Sequence, residues 1–109
     1  MNWIPLKEES QLDDIKATSA QQPVVIFKHS TRCAISSMVK SRLERQAAPK
    51  DLPFYYLDLI SYRNISNRIA DTFAVEHESP QVLLIRDGKC VYDESHNGIS
   101  MDEIVKMAS

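Results

Sequence analysis

The chain has 109 residues, 43% hydrophobic and 26% charged, enough for one buried core and too few for two, so residues 1–109 are expected to form a single domain. A net charge of −2 and a pI near 5.9 provide no general attraction for DNA or RNA. The longest purely apolar runs, Val24 to Phe27 and Val82 to Ile85, are too short for a membrane span or a secretory leader, which predicts a cytoplasmic protein with no membrane partner.

In chain order, Ser10 can cap a first helix with Leu12 and Ile15 directed inward, and Gln21-Gln22-Pro23 ends it because proline cannot continue helical geometry. Val24 to Phe27 is continuously apolar and mostly β-branched, the pattern of a strand covered on both faces in a largely parallel sheet. Ile35, Val39 and Leu43 then recur at helical spacing, an inward stripe that begins just after Cys33 and fades at Ala48-Pro49. Phe54 to Leu59 reads as a second strand. Ser61 or Asn64 can open a helix carrying Ile65, Ile69 and Phe73 on one face.

Ser79-Pro80 precedes the apolar strand Val82 to Ile85, and Asp87-Gly88 is a hairpin signal joining it to an antiparallel strand over Cys90 to Asp93. Ser100 and Glu103 form a capping-box pattern for a last helix with Met101, Ile104, Val105 and Ala108 on one side. The order α-β-α-β-α-β-β-α contains two βαβ-like crossovers, a hairpin and a closing helix. It predicts an α/β fold with a central mixed four-stranded sheet flanked by helices.

Chemistry concentrates at Cys33, which sits where a strand gives way to a helix. A thiol there meets unpaired backbone N–H groups and the positive end of the helix dipole, both of which favour the nucleophilic thiolate. The residue three positions on is Ser36, so the pattern is C-x-x-S, with an attacking sulfur and no second sulfur to resolve a mixed disulfide. Ser36 lies about one helical turn away and can donate a hydroxyl hydrogen bond to the thiolate, or serve simply as a first-turn residue. Arg32 adjoins the thiol and can favour its ionised form and attract an anionic thiol substrate.

Cys90 falls in an alternating strand pattern and reads as a small buried hydrophobe. With two cysteines and no leader, the chain is expected to keep reduced thiols. Lys40, Arg42 and Arg45 read as a solvated helix face, and His29 as structural or solvent-facing. His77 and His96 have no ligand spacing with either cysteine, so no metal site is predicted.

This element order resembles the thioredoxin fold, in which the reactive cysteine follows the first strand of a βαβ unit and a cis-proline opens the hairpin strand beside it. Pro80 occupies the matching place, so the resemblance implies a cis bond and a Ser79 backbone beside Cys33, able to pair with an extended substrate by strand addition.

The segment Phe27-Lys28-His29-Ser30-Thr31-Arg32-Cys33-Ala34-Ile35-Ser36 closely resembles the monothiol bacilliredoxins, whose pattern is usually written Thr-Cys-Pro-Ile-Ser. Arg32 and Ala34 depart from it, and Ala34 gives up the rigid φ that proline brings to a first helical turn. The resemblance implies thiol–disulfide exchange that removes bacillithiol from S-bacillithiolated proteins. Bacillithiol is the low-molecular-weight co-substrate, no cofactor is tightly bound, and bacillithiol or another redoxin is the reductant. Bacillithiol carries malate carboxylates, which gives Arg32 and Lys28 a complementary role, and Ser79 and Pro80 complete the implied substrate site.

Two other classes remain open from the sequence. One is an iron–sulfur carrier resembling monothiol glutaredoxins, which carry Cys-Gly-Phe-Ser, whereas this chain has no glycine near Cys33. The other is a non-catalytic thioredoxin-like stress or adaptor module with an inert Cys33.

Overall fold

The apolar run that begins at Val24 becomes the middle strand of a five-stranded sheet in the computed structural model, which describes residues 1–109. The elements are β1 (Trp3–Pro5), α1 (Gln11–Ser19), β2 (Val24–His29), α2 (Ala34–Glu44), β3 (Phe54–Asp58), α3 (Arg63–Phe73), β4 (Gln81–Arg86), β5 (Lys89–Ser95) and α4 (Met101–Ala108), with a 3-10 turn over His96–Gly98. The strand order is β1-β3-β2-β4-β5. β3 runs parallel to both β1 and β2, whereas β4 is antiparallel to β2 and β5. No helix is long and apolar enough to cross a membrane.

Successive residues of a strand point to opposite faces, and β2 spends this alternation on two separate cores. Val24 and Ile26 pack with Leu12 and Ile15 of α1 and with Ile65 and Ile69 of α3. Val25 and Phe27 pack on the other face with Val39 and Leu43 of α2 and Ile104 of α4. All of these side chains are essentially inaccessible to water, and each such burial stabilises the fold by about 1.5–3 kcal/mol.

The sequence pattern predicts four strands, and the structure adds β1 at the edge. Three residues ending in proline carry too short a pattern to read as a strand. What holds them is tertiary: the Trp3 ring stacks on Phe27 at 5.5 Å and meets Phe54 edge-on at 5.9 Å. Its indole N–H donates to Glu44 of α2 at 2.7 Å. Proline is tolerated here because an edge strand need not donate on its outer side.

Helix α2 also departs from its predicted face. Val39 and Leu43 are buried, but Ile35 is 44% exposed, and the inward position of the first turn belongs to Ser36. A hydroxyl displaces an isoleucyl side chain from the interior because two polar partners await it there, as described below. Helix α3 starts at Arg63 with Tyr62 as its N-cap, not at Ser61 or Asn64; the Ser61 hydroxyl instead donates to Asp58 at 3.0 Å. Ser10 flanks α1 without a side-chain cap bond, whereas the Ser100 hydroxyl accepts from the Glu103 amide at 3.5 Å. The β4–β5 hairpin turns through Asp87 and Gly88, with φ of 53° and 74°, the positive values a two-residue turn of this hand requires.

The observed face of α2 separates two substitutions that look alike in sequence. Leu43→Ala is expected to lower the unfolding free energy by about 2–5 kcal/mol in urea denaturation. Ile35→Ala is expected to change it by no more than about 0.5 kcal/mol. Comparable losses at the two positions would contradict this helix orientation.

Candidate active site

β2 ends at His29, and the short turn Ser30-Thr31-Arg32 carries the chain to Cys33, the N-cap of α2. The turn is closed by the Cys33 amide donating to the Ser30 carbonyl at 3.1 Å. The helix begins as the Ser37 amide donates to the Cys33 carbonyl at 3.1 Å. Cys33 has extended backbone angles, makes no side-chain cap bond and is a partly exposed free thiol. The first turn of α2 contains no acidic residue, so no carboxylate competes for the positive end of the helix dipole. Ile35 and Met38, 44% and 49% exposed, add an apolar surface on the same helix.

Ser36 is fully buried, and its oxygen is committed away from sulfur. It accepts the Ser30 amide at 3.1 Å and lies 2.7 Å from His29 Nδ1. When His29 Nδ1 is unprotonated, the single hydroxyl proton goes to that nitrogen and none remains for Cys33. Ser36 therefore ties the Ser30 turn and the end of β2 to the first turn of α2, which fits the second of its two expected roles, that of a first-turn residue without a bond to sulfur, better than the first. His29 is buried beside the Tyr56 ring, at 5.5 Å. Burial holds its imidazole below the ordinary histidine range, and the Lys40 ammonium adds to the effect.

Lys28 contradicts its predicted role. It has no accessible surface and points to the α3 side of the sheet, opposite to His29, so it offers no exposed charge to a substrate carboxylate. Its ammonium donates to the Ser66 carbonyl of α3 at 3.3 Å and lies 3.3 Å from His77 Nδ1. Burial brings its pKa down from 10.5 to about 8. The strand is apolar as far as Phe27, so a lysine following it reads naturally as the point where the chain emerges. The covering of that strand end by α3 and the loop 74–80 is a long-range property.

Arg32, in contrast, is exposed and engaged in no salt bridge or hydrogen bond, and it directly precedes the thiol. Ser79 and Pro80 immediately precede β4, whose Gln81 is paired with Lys28 of β2. They therefore sit at the same end of the sheet as the turn leading to Cys33. The Ser79–Pro80 peptide bond is cis, and the buried Ser79 hydroxyl has no partner within the chain.

Cys90 lies on β5, partly buried, with its thiol directed to the Tyr92 carbonyl at 3.3 Å; burial raises its pKa. No three His, Cys, Asp or Glu side chains converge in a way that could hold a metal ion. Ser66, His77 and Gln81 join this cluster without any local sequence pattern that marks them. The one signal available was two adjacent polar residues, Lys28 and His29, at the end of a strand predicted to be covered on both faces.

The sheet order and the lone thiol at the start of α2 define a thioredoxin-fold protein with a monothiol site. A solved protein of thioredoxin fold to which an oxidoreductase role is ascribed aligns with a TM-score of 0.84 and 26% identity, over 98% of this chain and 94% of that one. The N21Q mutant thioredoxin from Halobacterium salinarum NRC-1 aligns at 0.72 and 19% identity, over 98% and 88% of the two chains. Schistosoma mansoni thioredoxin aligns at 0.74 and 17%, over 98% and 93%. The profile of the family described as monothiol bacilliredoxin BrxC matches residues 4–104, and the chain belongs to that family. Family and fold together support a redox role of the thiol oxidoreductase type.

The buried ammonium carries a pH signature. Because the Lys28 pKa is lowered to about 8 from 10.5, the folded chain binds fewer protons than the unfolded chain between these values. Stability therefore rises with pH across that window. The unfolding free energy of the wild type is expected to climb relative to Lys28→Met from pH 8 to 10.5 and to run parallel with it below pH 8. Parallel curves throughout would show that Lys28 is not buried as a cation.

Proposed function

We propose that the protein is a cytoplasmic thiol–disulfide oxidoreductase that removes bacillithiol from proteins carrying it as a mixed disulfide, with Cys33 as the only nucleophile. The observation that supports this most directly is the placement of a partly exposed Cys33 at the N-cap of α2 in a chain of the monothiol bacilliredoxin family. That position places the sulfur at the end of α2 where the first-turn amides have no acceptor within the helix.

In the reaction, the Cys33 thiolate attacks the bacillithiol sulfur of the target's mixed disulfide. A new bond joins Cys33 to bacillithiol as the old disulfide breaks, and the target's cysteine leaves as a thiolate that takes a proton from water. Ser36 has no sulfur and its oxygen is engaged with Ser30 and His29, so the adduct waits for a thiol from outside. Bacillithiol or a partner redoxin then attacks the bacillithiol sulfur of the adduct, forming a new disulfide with it, and the electron pair of the broken bond leaves on Cys33 as thiolate, so the incoming thiol supplies the two electrons.

Arg32, exposed and unpaired beside the thiol, meets a malate carboxylate of the bacillithiol moiety. The Ser79 backbone, at the same end of the sheet, receives the target polypeptide as an added strand next to Pro80. The exposed Ile35 and Met38 provide the apolar side of that surface.

Mass spectrometry of the protein mixed with a bacillithiolated target is expected to show a bacillithiol adduct on Cys33 and a freed target thiol. Cys33→Ser abolishes both, and transfer that persists in this variant would refute the assignment. Arg32→Ala should slow exchange with bacillithiolated targets roughly two- to fivefold, the range of an exposed ion pair, and leave exchange with neutral disulfides unchanged. Iodoacetamide at neutral pH should label Cys33 well before Cys90, whose thiol is raised by burial.

A further inference from the structure

The loop 74–80, which carries Ser79 and Pro80, is exposed at Glu76, His77 and Glu78, yet it is gripped from beneath at two successive residues. Lys28 on β2 and Gln81 on β4 are paired across the sheet and both are almost inaccessible to water. The Gln81 side-chain amide donates to the Glu76 carbonyl at 3.0 Å. The Lys28 ammonium reaches His77 Nδ1 at 3.3 Å, and its other contact is the Ser66 carbonyl at 3.3 Å, inside α3. The Ser66 hydroxyl also lies 3.3 Å from His77 Nδ1. One charged group thus joins the central strand, helix α3 and the loop.

A buried ammonium is an expensive way to fill this position. A methionine of similar length would gain from leaving water, whereas an ion taken out of water must recover its lost hydration through its partners. The partners here are a helix carbonyl and an imidazole whose protonation is disfavoured by burial and by Lys28 itself. An ammonium can only donate, so Lys28 selects the neutral tautomer with its proton on Nε2, and Nδ1 then accepts a charge-assisted hydrogen bond from Lys28. It fixes the one point of the loop that lies two residues before Ser79.

We propose that Lys28 is a positioning residue for substrate recognition: through His77 it holds the loop 74–80 so that Ser79 presents its backbone to the polypeptide attached to the disulfide that Cys33 attacks. The inference rests on the redox reading above and adds a division of labour to it. Cys33 and Arg32 meet the small thiol, whereas the Lys28–His77 contact governs recognition of the polypeptide. Lys28 touches no substrate atom.

The test compares a bacillithiolated protein with a small symmetrical disulfide, bis(2-hydroxyethyl) disulfide, as substrates of the same preparations. In Lys28→Met and His77→Ala, kcat/KM for the protein substrate should fall about five- to thirtyfold, mostly through KM, because each variant removes a hydrogen bond to a charged group. The rate with the small disulfide should stay within twofold of wild type. His77→Asn, which restores an acceptor near Nδ1, should recover most of the loss. If Lys28→Met folds poorly, the exposed His77 pair of variants decides alone. Equal losses on both substrates, or no loss on the protein substrate, would overturn the positioning role while leaving the redox reading intact. A wild-type protein inactive toward both disulfides would remove the two together.

Discussion

A strand covered on both faces must dispose of every side chain it carries, and β2 does so up to its last residue. Val24, Ile26 and Lys28 go to the α1/α3 side, whereas Val25, Phe27 and His29 go to the α2/α4 side. The apolar members hold the two layers of helices to the sheet, and the two polar members at the end are buried as firmly as the rest. Each then requires a partner, since an unsatisfied buried polar group costs more than its hydrogen bond returns. The surroundings of Cys33 follow from where those partners are found.

His29 finds Ser36, and that bond draws the first turn of α2 inward at the serine and turns Ile35 out to solvent. Lys28 finds Ser66 and His77, and that contact ties the loop before β4 to the central strand. The two buried polar residues therefore brace opposite sides of the site. One fixes the helix that presents the sulfur, and the other fixes the loop that leads into Ser79 and Pro80. The exposed members of the site, Cys33, Arg32, Ile35 and Met38, stand on this frame without contributing to it. A monothiol site of this kind separates the free thiol from its scaffold: Ser36 occupies the C-x-x-S position as a brace between His29 and the Ser30 turn.

The legibility of these features in the sequence varied with the range of the interactions behind them. Helices α1, α3 and α4, strands β2 to β5 and the Asp87-Gly88 turn are encoded by local periodicity and by residues suited to particular backbone angles, so pattern alone located them. Strand β1 escaped because Trp3 is held by Phe27, Phe54 and Glu44, all remote in sequence. Helical spacing places Ile35 inward, because it cannot distinguish an apolar residue facing the core from one displaced by a bonded hydroxyl a single position away.

What the sequence determined by itself is the order of elements from α1 onward, the α/β class and a lone thiol at the junction of a strand and a helix, because period, caps and turns act over a few residues. The tertiary structure decided the destination of the polar side chains around that thiol. A lysine that reads as a surface charge became a buried tie, and a serine that reads as a partner of sulfur became a partner of histidine. Burial and hydrogen-bond pairing are settled only when distant segments close over a strand end, and no local pattern records which segments those will be.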